Sequence, residues 1–326
     1  MKRYEFTLRP LSDFGTPLKG DTLFGCFCWQ AAYDESLVEG GLDQALKVYD
    51  GKPFAVFSSA LLKITDALRS LYVLKRPDMP LARIFPDNGK DRAARYEELK
   101  EQKRRRWMVF ESLSTLNLKE ARFFNGEELH AEFGVRPVSA SVRPHNTINR
   151  MTLSTGSGAF APYEMETLSY VPDSTLGIVV LIDEDLTSAE HIKRGLEAIG
   201  KFGFGRDAGI GMGRFQVVEY RILPDAMPDE TNAIYTLAPC VPESGQNGKC
   251  FFTPFVRFGK HGDRLAGAKN PFKNPVVMAD EGAVFFRQKE KNFDKLYIGK
   301  AVGGISKNQE GAMVQGYTPY IPITLE

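Results

Sequence analysis

Residues Lys201 through Phe215 place a glycine-rich loop between a helix and a strand, and that order decides what the loop can be. Gly203, Gly205, Gly209, Gly211 and Gly213 are five glycines in eleven residues, interleaved with Phe204 and Arg206 and flanked by Lys201 and Arg214. Upstream, Thr187-Ser188-Ala189-Glu190 leads into Ile192, Leu196 and Ile199, which predicts a capped helix ending near Gly200. Downstream, Arg214 to Tyr220 is rich in β-branched and aromatic residues and predicts a strand. A dinucleotide site runs strand, loop, helix, because the pyrophosphate rests on the helix N-terminus. Here the order is reversed, and no Gly-Lys-Ser/Thr follows as in a P-loop. The loop therefore speaks against a nucleotide-cofactor enzyme, and neither cofactor nor metal is expected. Two readings are left. One is a turn in front of a sheet strand, without a ligand. The other is a cradle in which glycine lets a phosphate backbone come close and the arginines neutralise it.

With 326 residues, 43% of them hydrophobic, the chain can build one large or two ordinary domains around a sizeable core. The net charge is only +1, so a case for nucleic acid has to rest on local clusters. No apolar run is long enough to cross a membrane, and Met1 to Phe6 alternates like a strand rather than a signal region. Cys26, Cys28, Cys240 and Cys250 show neither Cys-x-x-Cys nor zinc spacing, and His130, His145, His191 and His261 are scattered. Free thiols in a reducing cytosol fit this pattern.

Along the chain, a first strand is expected over Met1 to Leu8, with Tyr4, Phe6 and Leu8 on one face. A helix follows over residues 19–32, capped by Asp21 or Thr22, with Leu23, Phe24, Phe27 and Ala31 at core spacing. Lys19 and the free amides at its start can face a phosphate. Phe54 to Leu62 reads as a partly buried strand or strand-turn. Residues around Lys75-Arg76-Pro77 and Phe85 to Lys90 are loop-like. Arg92 to Arg106 is highly charged, either a solvated helix face or a basic surface for nucleic acid or a partner subunit. Residues 133–155 hold little apolar content, and a protruding hairpin or arm fits them. Arg143, His145, Asn146, Asn149 and Arg150 there are donors suited to phosphate, sugar and base edges.

Tyr163 to Val171 and Thr175 to Asp183 read as a hairpin joined at Pro172-Asp173-Ser174. Residues 1–221 then run strand, helix, inserted region (about 75–155), two strands, helix, strand, the ferredoxin-like or RRM-like order. Leu223 to Asp229 reads as a linker. Residues 230–326 form a second, shorter β-rich unit with strands expected at Ala233–Leu237, Phe251–Phe258, Ala283–Arg287, Lys295–Ile298 and Gln315–Ile323. It carries a basic loop, Lys260 to Arg264, and a second glycine-basic loop with Lys300, Gly303, Gly304 and Lys307. Two such loops at similar points of two halves point to a degenerate duplication. The expected fold is α+β, two ferredoxin-like domains with an inserted thumb hairpin and a helical insertion.

Four segments, in this order, resemble the RAMP superfamily of CRISPR-associated RNA-binding proteins, and within it the fourth Csm subunit of type III-A effector complexes. Gly20-Asp21-Thr22-Leu23-Phe24-Gly25 is similar to the family's Ser-Asp-Thr-Leu-Phe helix start. His145 to Thr152, followed by Gly156 to Tyr163, is similar to its Arg-Asn-x-Ile-Asp-Arg-x-Thr segment before a strand. Gly203 to Phe215 resembles its glycine-rich loop, and Gly316 to Ile323 its final strand. Gly20 stands where the family often has Ser, and His145 and Asn149 where Arg and Asp are common. The resemblance implies a non-catalytic RNA-binding scaffold in the prokaryotic cytoplasm, serving antiviral defence. It would hold the repeat-derived 5′ tag of the crRNA and contact the large polymerase-like subunit and the first backbone subunit, away from any membrane. A thumb hairpin near residues 135–150 would kink the guide.

The candidate RNA contacts are Lys19, Arg143, His145, Asn146, Arg150, Lys201, Gly203, Phe204, Gly205, Arg206, Gly209, Gly211, Gly213, Arg214, Lys300, Gly303 and Gly304. Phe204 is expected to stack on a base or to pack inside. The rival reading within the superfamily is an endoribonuclease that cuts precursor crRNA with His145 as acid or base.

Overall fold

The computed structural model describes residues 1–66, 69–86, 89, 91–224, 231–243, 249–287 and 295–325, without the side chain of Asp66. Residues 225–229 of the expected linker and residues 87, 88 and 90 of the expected loop lie outside the described residues. The first half contains β1 (Lys2–Pro10), α1 (Gly20–Tyr33), α2 (Leu42–Val48), β2 (Ala55–Phe57), β3 (Leu61–Asp66), β4 (Arg69–Lys75), α3 (Leu81–Ile84), α4 (Arg92–Arg104), β5 (Trp107–Phe110), β6 (Leu116–Asn117), β7 (Phe123–Phe124), α5 (Gly126–Phe133), β8 (Ser139–His145), β9 (Tyr163–Ser169), β10 (Thr175–Ile182), α6 (Ala189–Phe202) and β11 (Phe215–Ile222). After it come β12 (Ala233–Thr236), β13 (Cys250–Phe251), β14 (Pro254–Arg257), β15 (Val276–Ala279), β16 (Val284–Phe286), β17 (Tyr297–Gly299) and β18 (Tyr317–Thr324).

The main sheet runs β11-β1-β10-β3-β4-β5-β7, with β2 also on β10. Its first four positions hold the strands that flank α1 and α6 in the order fourth, first, third, second, each antiparallel to its neighbour. The alternation of β1 explains its central place. Tyr4, Phe6 and Leu8 enter the core beneath the helices, while Arg3, Glu5 and Thr7 are buried on the other face. From α1, Leu23, Phe24, Phe27 and Ala31 join that core, and each large side chain fully buried there contributes about 1.5–3 kcal/mol over leaving it exposed. On α6, Ile192, Leu196 and Ile199 do the same under a Ser188 cap that accepts the His191 N–H at 3.1 Å. Gly195 lets α6 approach the Phe27 ring so closely that a Cβ would collide with it. Gly20 abuts the Phe57 carbonyl in the same way, which accounts for glycine where the resembling family often has Ser.

Three expectations are corrected. Asp21 and Thr22 do not cap α1: Lys19 is the N-cap, without a side-chain bond, and Asp21 lies inside the first turn. Tyr163–Ser169 does not pair with Thr175–Ile182. The turn at Val171–Ser174 forms, with the Ser174 N–H 3.1 Å from the Val171 carbonyl, but β9 pairs with β8 from Ser139↔Ser169 to His145↔Tyr163. β10, almost wholly apolar and buried, takes the sheet centre, while the polar β9 stays outside with its partner. A strand at Val276–Ala279 was not expected, and it pairs with Pro254–Arg257 as a second two-stranded ribbon.

The second half builds the sheet β13-β16-β12-β18-β17, and β6 adds to β18 in parallel, Leu116 opposite Ile323. Among the described residues 231–325 there is no α-helix, only a 3-10 turn at Asp263–Leu265. Tyr72, Leu74, Met108 and Val179 share one apolar cluster with Tyr235, Ile321 and Ile323, so both sheets contribute to a common core.

Candidate nucleic-acid interface

Three segments meet where β1 ends: the turn from Leu11 to Pro17, the glycine loop, and the β8–β9 ribbon. The Leu11 N–H donates to the Arg214 carbonyl at 2.8 Å, and the Gly213 N–H to the Asp13 carbonyl at 2.7 Å. The Arg214 N–H reaches Ser12 Oγ and the Arg206 N–H reaches Thr16 Oγ1, both at 2.9 Å. Phe14 and Leu168 exchange backbone bonds of 2.8 Å, which pins the ribbon to the turn. Two side chains add to the junction: the Arg206 guanidinium donates to the Glu166 carbonyl, and Arg143 ion-pairs with Asp13.

The loop glycines are of two kinds. Gly203, Gly205 and Gly213 all have positive φ, and a Cβ on them would overlap the Met212 carbonyl, the Thr16 side chain or the Phe204 carbonyl. These three close the loop on itself and on the turn. Gly209 and Gly211 face open space, Gly211 at φ +93°. Phe204 is fully buried in the core, so of its two expected roles it packs and has no face for a base. Lys201 and Arg214 are exposed, and neither side chain makes a hydrogen bond or ion pair among the described residues. Arg206 is also exposed, with Nε 3.4 Å from Asp207.

The ribbon is polar and exposed along β8. At its outer end the His145 ring stacks on Tyr163, centroids 5.6 Å apart and planes 16° off parallel. Asn149 organises the tip: its Oδ1 accepts the Met151 N–H at 2.9 Å and its carbonyl the Leu153 N–H at 2.7 Å. Met151 is 92% exposed, and Ile148, Leu153, Asn146 and Arg150 are exposed beside it.

Other candidates lie elsewhere. Lys19 does not face an anion: its Nζ is 2.5 Å from Asp280 and 3.0 Å from Glu281. Burial opposes its charge, but the Glu281 and Asp280 carboxylates outweigh that and hold its pKa above the usual lysine value. Lys300, Gly303 and Gly304 belong to a loop that packs on the second ribbon, through the Asn274 N–H to the Ile305 carbonyl at 2.7 Å. In the basic run before Trp107, Arg104 pairs with Glu101 at 3.0 Å and Arg105 grips Glu128 at 2.6 and 3.0 Å, so these charges are matched locally.

Sequence reasoning missed Ser12, Asp13, Thr16 and Tyr163. Tyr163 becomes legible only through the β8–β9 register, which closes over residues 146–162. Exposed cations, an open glycine backbone and a stacked His–Tyr pair suit phosphates and unstacked bases.

No family model matches the sequence, and no curated protein matches it. The fold nevertheless recurs in solved structures of type III CRISPR assemblies. A chain of the Csm1-Csm4 cassette in complex with pppApA superposes with a TM-score of 0.60 at 15% identity, covering 100% of this chain and 99% of that one. The cassette in complex with cA4 gives 0.61 at 14%, covering 99% of each. A chain of the Csm3-Csm4 subcomplex in the type III-A CRISPR-Cas interference complex gives 0.54 at 13%, again covering 99% of each. Csm4 is the component these assemblies have in common, and it is the subunit that the four sequence segments resemble.

Proposed function

We propose that this chain is a non-catalytic, crRNA-holding scaffold subunit of a type III-A CRISPR effector complex. The observation that carries it is the meeting of the Arg206 and Arg214 backbone, the turn after β1 and the exposed ribbon, beside glycines left open to solvent. The whole-length likeness to chains of the Csm1-Csm4 and Csm3-Csm4 assemblies supports the same reading. The fourth-first-third-second strand order suits a ferredoxin-like first domain over residues 1–221, with residues 230–326 as a degenerate second one that has lost its helices. The cationic face holds the phosphates of the 5′ tag, and the ribbon tip bears on the RNA as it leaves. The large polymerase-like subunit and a backbone subunit are the proposed partners, and the prokaryotic cytosol is the proposed place. No described helix is long and apolar enough to cross a membrane.

Reconstitution tests this reading. Purified chain, large subunit, backbone subunits and crRNA are expected to assemble into one particle, and omission of this chain to leave the 5′ tag open to nuclease. A tag equally protected without it contradicts the proposal. Cleavage of precursor crRNA by the chain alone, abolished by His145→Ala, would replace the scaffold with the endoribonuclease.

A further inference from the structure

The second half repeats the arrangement of the first: a two-stranded ribbon packed against a glycine-basic loop. β14 and β15 pair from Pro254↔Ala279 to Arg257↔Val276, and a bridge at Lys260–Phe272 extends the ribbon. The inner face lies along α1. Arg257 grips Asp21 in the first helical turn at 2.5 and 2.8 Å, and Gly262 abuts the Trp29 indole further along. The second glycine loop anchors it, with His261 Nε2 2.6 Å from Ser306 Oγ in addition to the Asn274–Ile305 bond.

The outer face is bare. Val256 lies opposite Val277 and Lys260 opposite Phe272 across the ribbon, and Phe258 falls between Val256 and Lys260 on its strand. All five are exposed, Phe258 by 75% and Phe272 by 63%, and Lys260 Nζ lies 5.9 Å from the Phe272 ring centroid. In a chain of net charge +1, residues 251–279 hold five Lys/Arg and a single acid, Asp263. Arg257 is paired, but Lys260, Arg264 and Lys269 are exposed, Lys260 beside the Phe272 ring. A protein-docking core is depleted in lysine, whereas bare aromatic rings among cations suit stacked bases and their phosphates. The ribbon also sits close to the first glycine loop: the Cys26 thiol on α1 meets the Gly205 backbone and is within electrostatic reach of Lys273 at the base of the ribbon.

We infer that the outer face of the β14–β15 ribbon is a second binding surface for single-stranded RNA, with Phe258 and Phe272 stacking bases and Lys260 and Lys269 meeting phosphates. This rests on the RNA-binding reading of the chain but concerns a separate set of residues. The test uses the full chain and a fluorescein-labelled oligouridylate, followed by anisotropy, together with a 4-thiouridine oligonucleotide for photocrosslinking. Phe258→Ser with Phe272→Ser is expected to weaken binding on the order of a hundredfold, since two stacks are lost and each is worth about tenfold. Phe258→Tyr with Phe272→Tyr keeps the rings and is expected to bind as the parent does. Crosslinks are expected within residues 256–273. Unchanged affinity of the serine variant, with no crosslink in the ribbon, overturns the inference, as does loss of a partner subunit at unchanged RNA affinity. RNA binding that depends on Arg206 and Arg214 but ignores Phe258 and Phe272 defeats this surface alone. A parent chain that binds no RNA defeats the parent reading with it.

Discussion

Arg143 on the first ribbon is ion-paired with Asp13, the residue whose carbonyl accepts the Gly213 N–H. The pair ties the ribbon to the glycine loop, and it also holds a cation away from any phosphate. Asp13→Asn removes the charge and leaves the carbonyl bond in place. Single-stranded RNA binding is then expected to tighten several-fold, and the slope of log K against log salt to steepen by about 0.7, the release from one further phosphate contact. Anisotropy over a KCl series measures it. An unchanged slope means that Arg143 does not reach the RNA.

The two kinds of loop glycine separate folding from binding. Gly205 has φ +75°, and a Cβ there would lie 2.6 Å from the Thr16 side chain, whereas a Cβ on Gly209 meets nothing. Gly205→Ala is expected to cost on the order of 1–3 kcal/mol of stability, and Gly209→Ala to stay within about 0.5 kcal/mol. Urea unfolding distinguishes them, and equal losses would contradict the assignment.

His261 gives the fold a pH dependence. Burial, with Lys273 beside it, pushes its pKa below the usual 6.5. Ser306 Oγ already accepts the Asn308 and Gln309 N–H groups, both at 3.1 Å, so its own proton points at His261 Nε2, which has to be unprotonated. A base with a lowered folded pKa contributes stability that is complete above pH 6.5 and lost as pH falls through the folded value. Unfolding free energies measured between roughly pH 7.5 and 5 are expected to decline in the parent chain and to decline less in His261→Gln. Parallel profiles would remove His261 as the cause.

The parts of the fold that local chemistry specifies were legible in the sequence. The Ser188 cap, the spacing of Ile192, Leu196 and Ile199, and the β-rich run after Arg214 fixed the helix–loop–strand order within a residue or two. Strand partners were not legible. β9 precedes a good turn signal at Val171–Ser174, yet it pairs across residues 146–162, because the apolar β10 is needed between β1 and β2. Val276–Ala279 is too short to show a period of two by itself and is defined by its partner Pro254–Arg257. At the site, exposure decided what residue type could not. Lys19 and Phe204 have the right chemistry for RNA, but tertiary packing gives the first to Asp280 and Glu281 and puts the second in the core.

The central claim is that the exposed glycine-loop face meets an RNA phosphate backbone, and the salt dependence of binding tests it most directly. Arg214 is the cleanest probe, since its side chain has no partner among the described residues, while Arg206 also holds the Glu166 carbonyl. Single-stranded RNA binding is to be followed across a KCl series for the parent chain, Arg214→Ala, and Arg206→Ala with Arg214→Ala. The expected result is weaker binding and a slope shallower by about 0.7 for the single and about 1.4 for the double variant. Slopes identical to that of the parent chain would contradict the phosphate cradle.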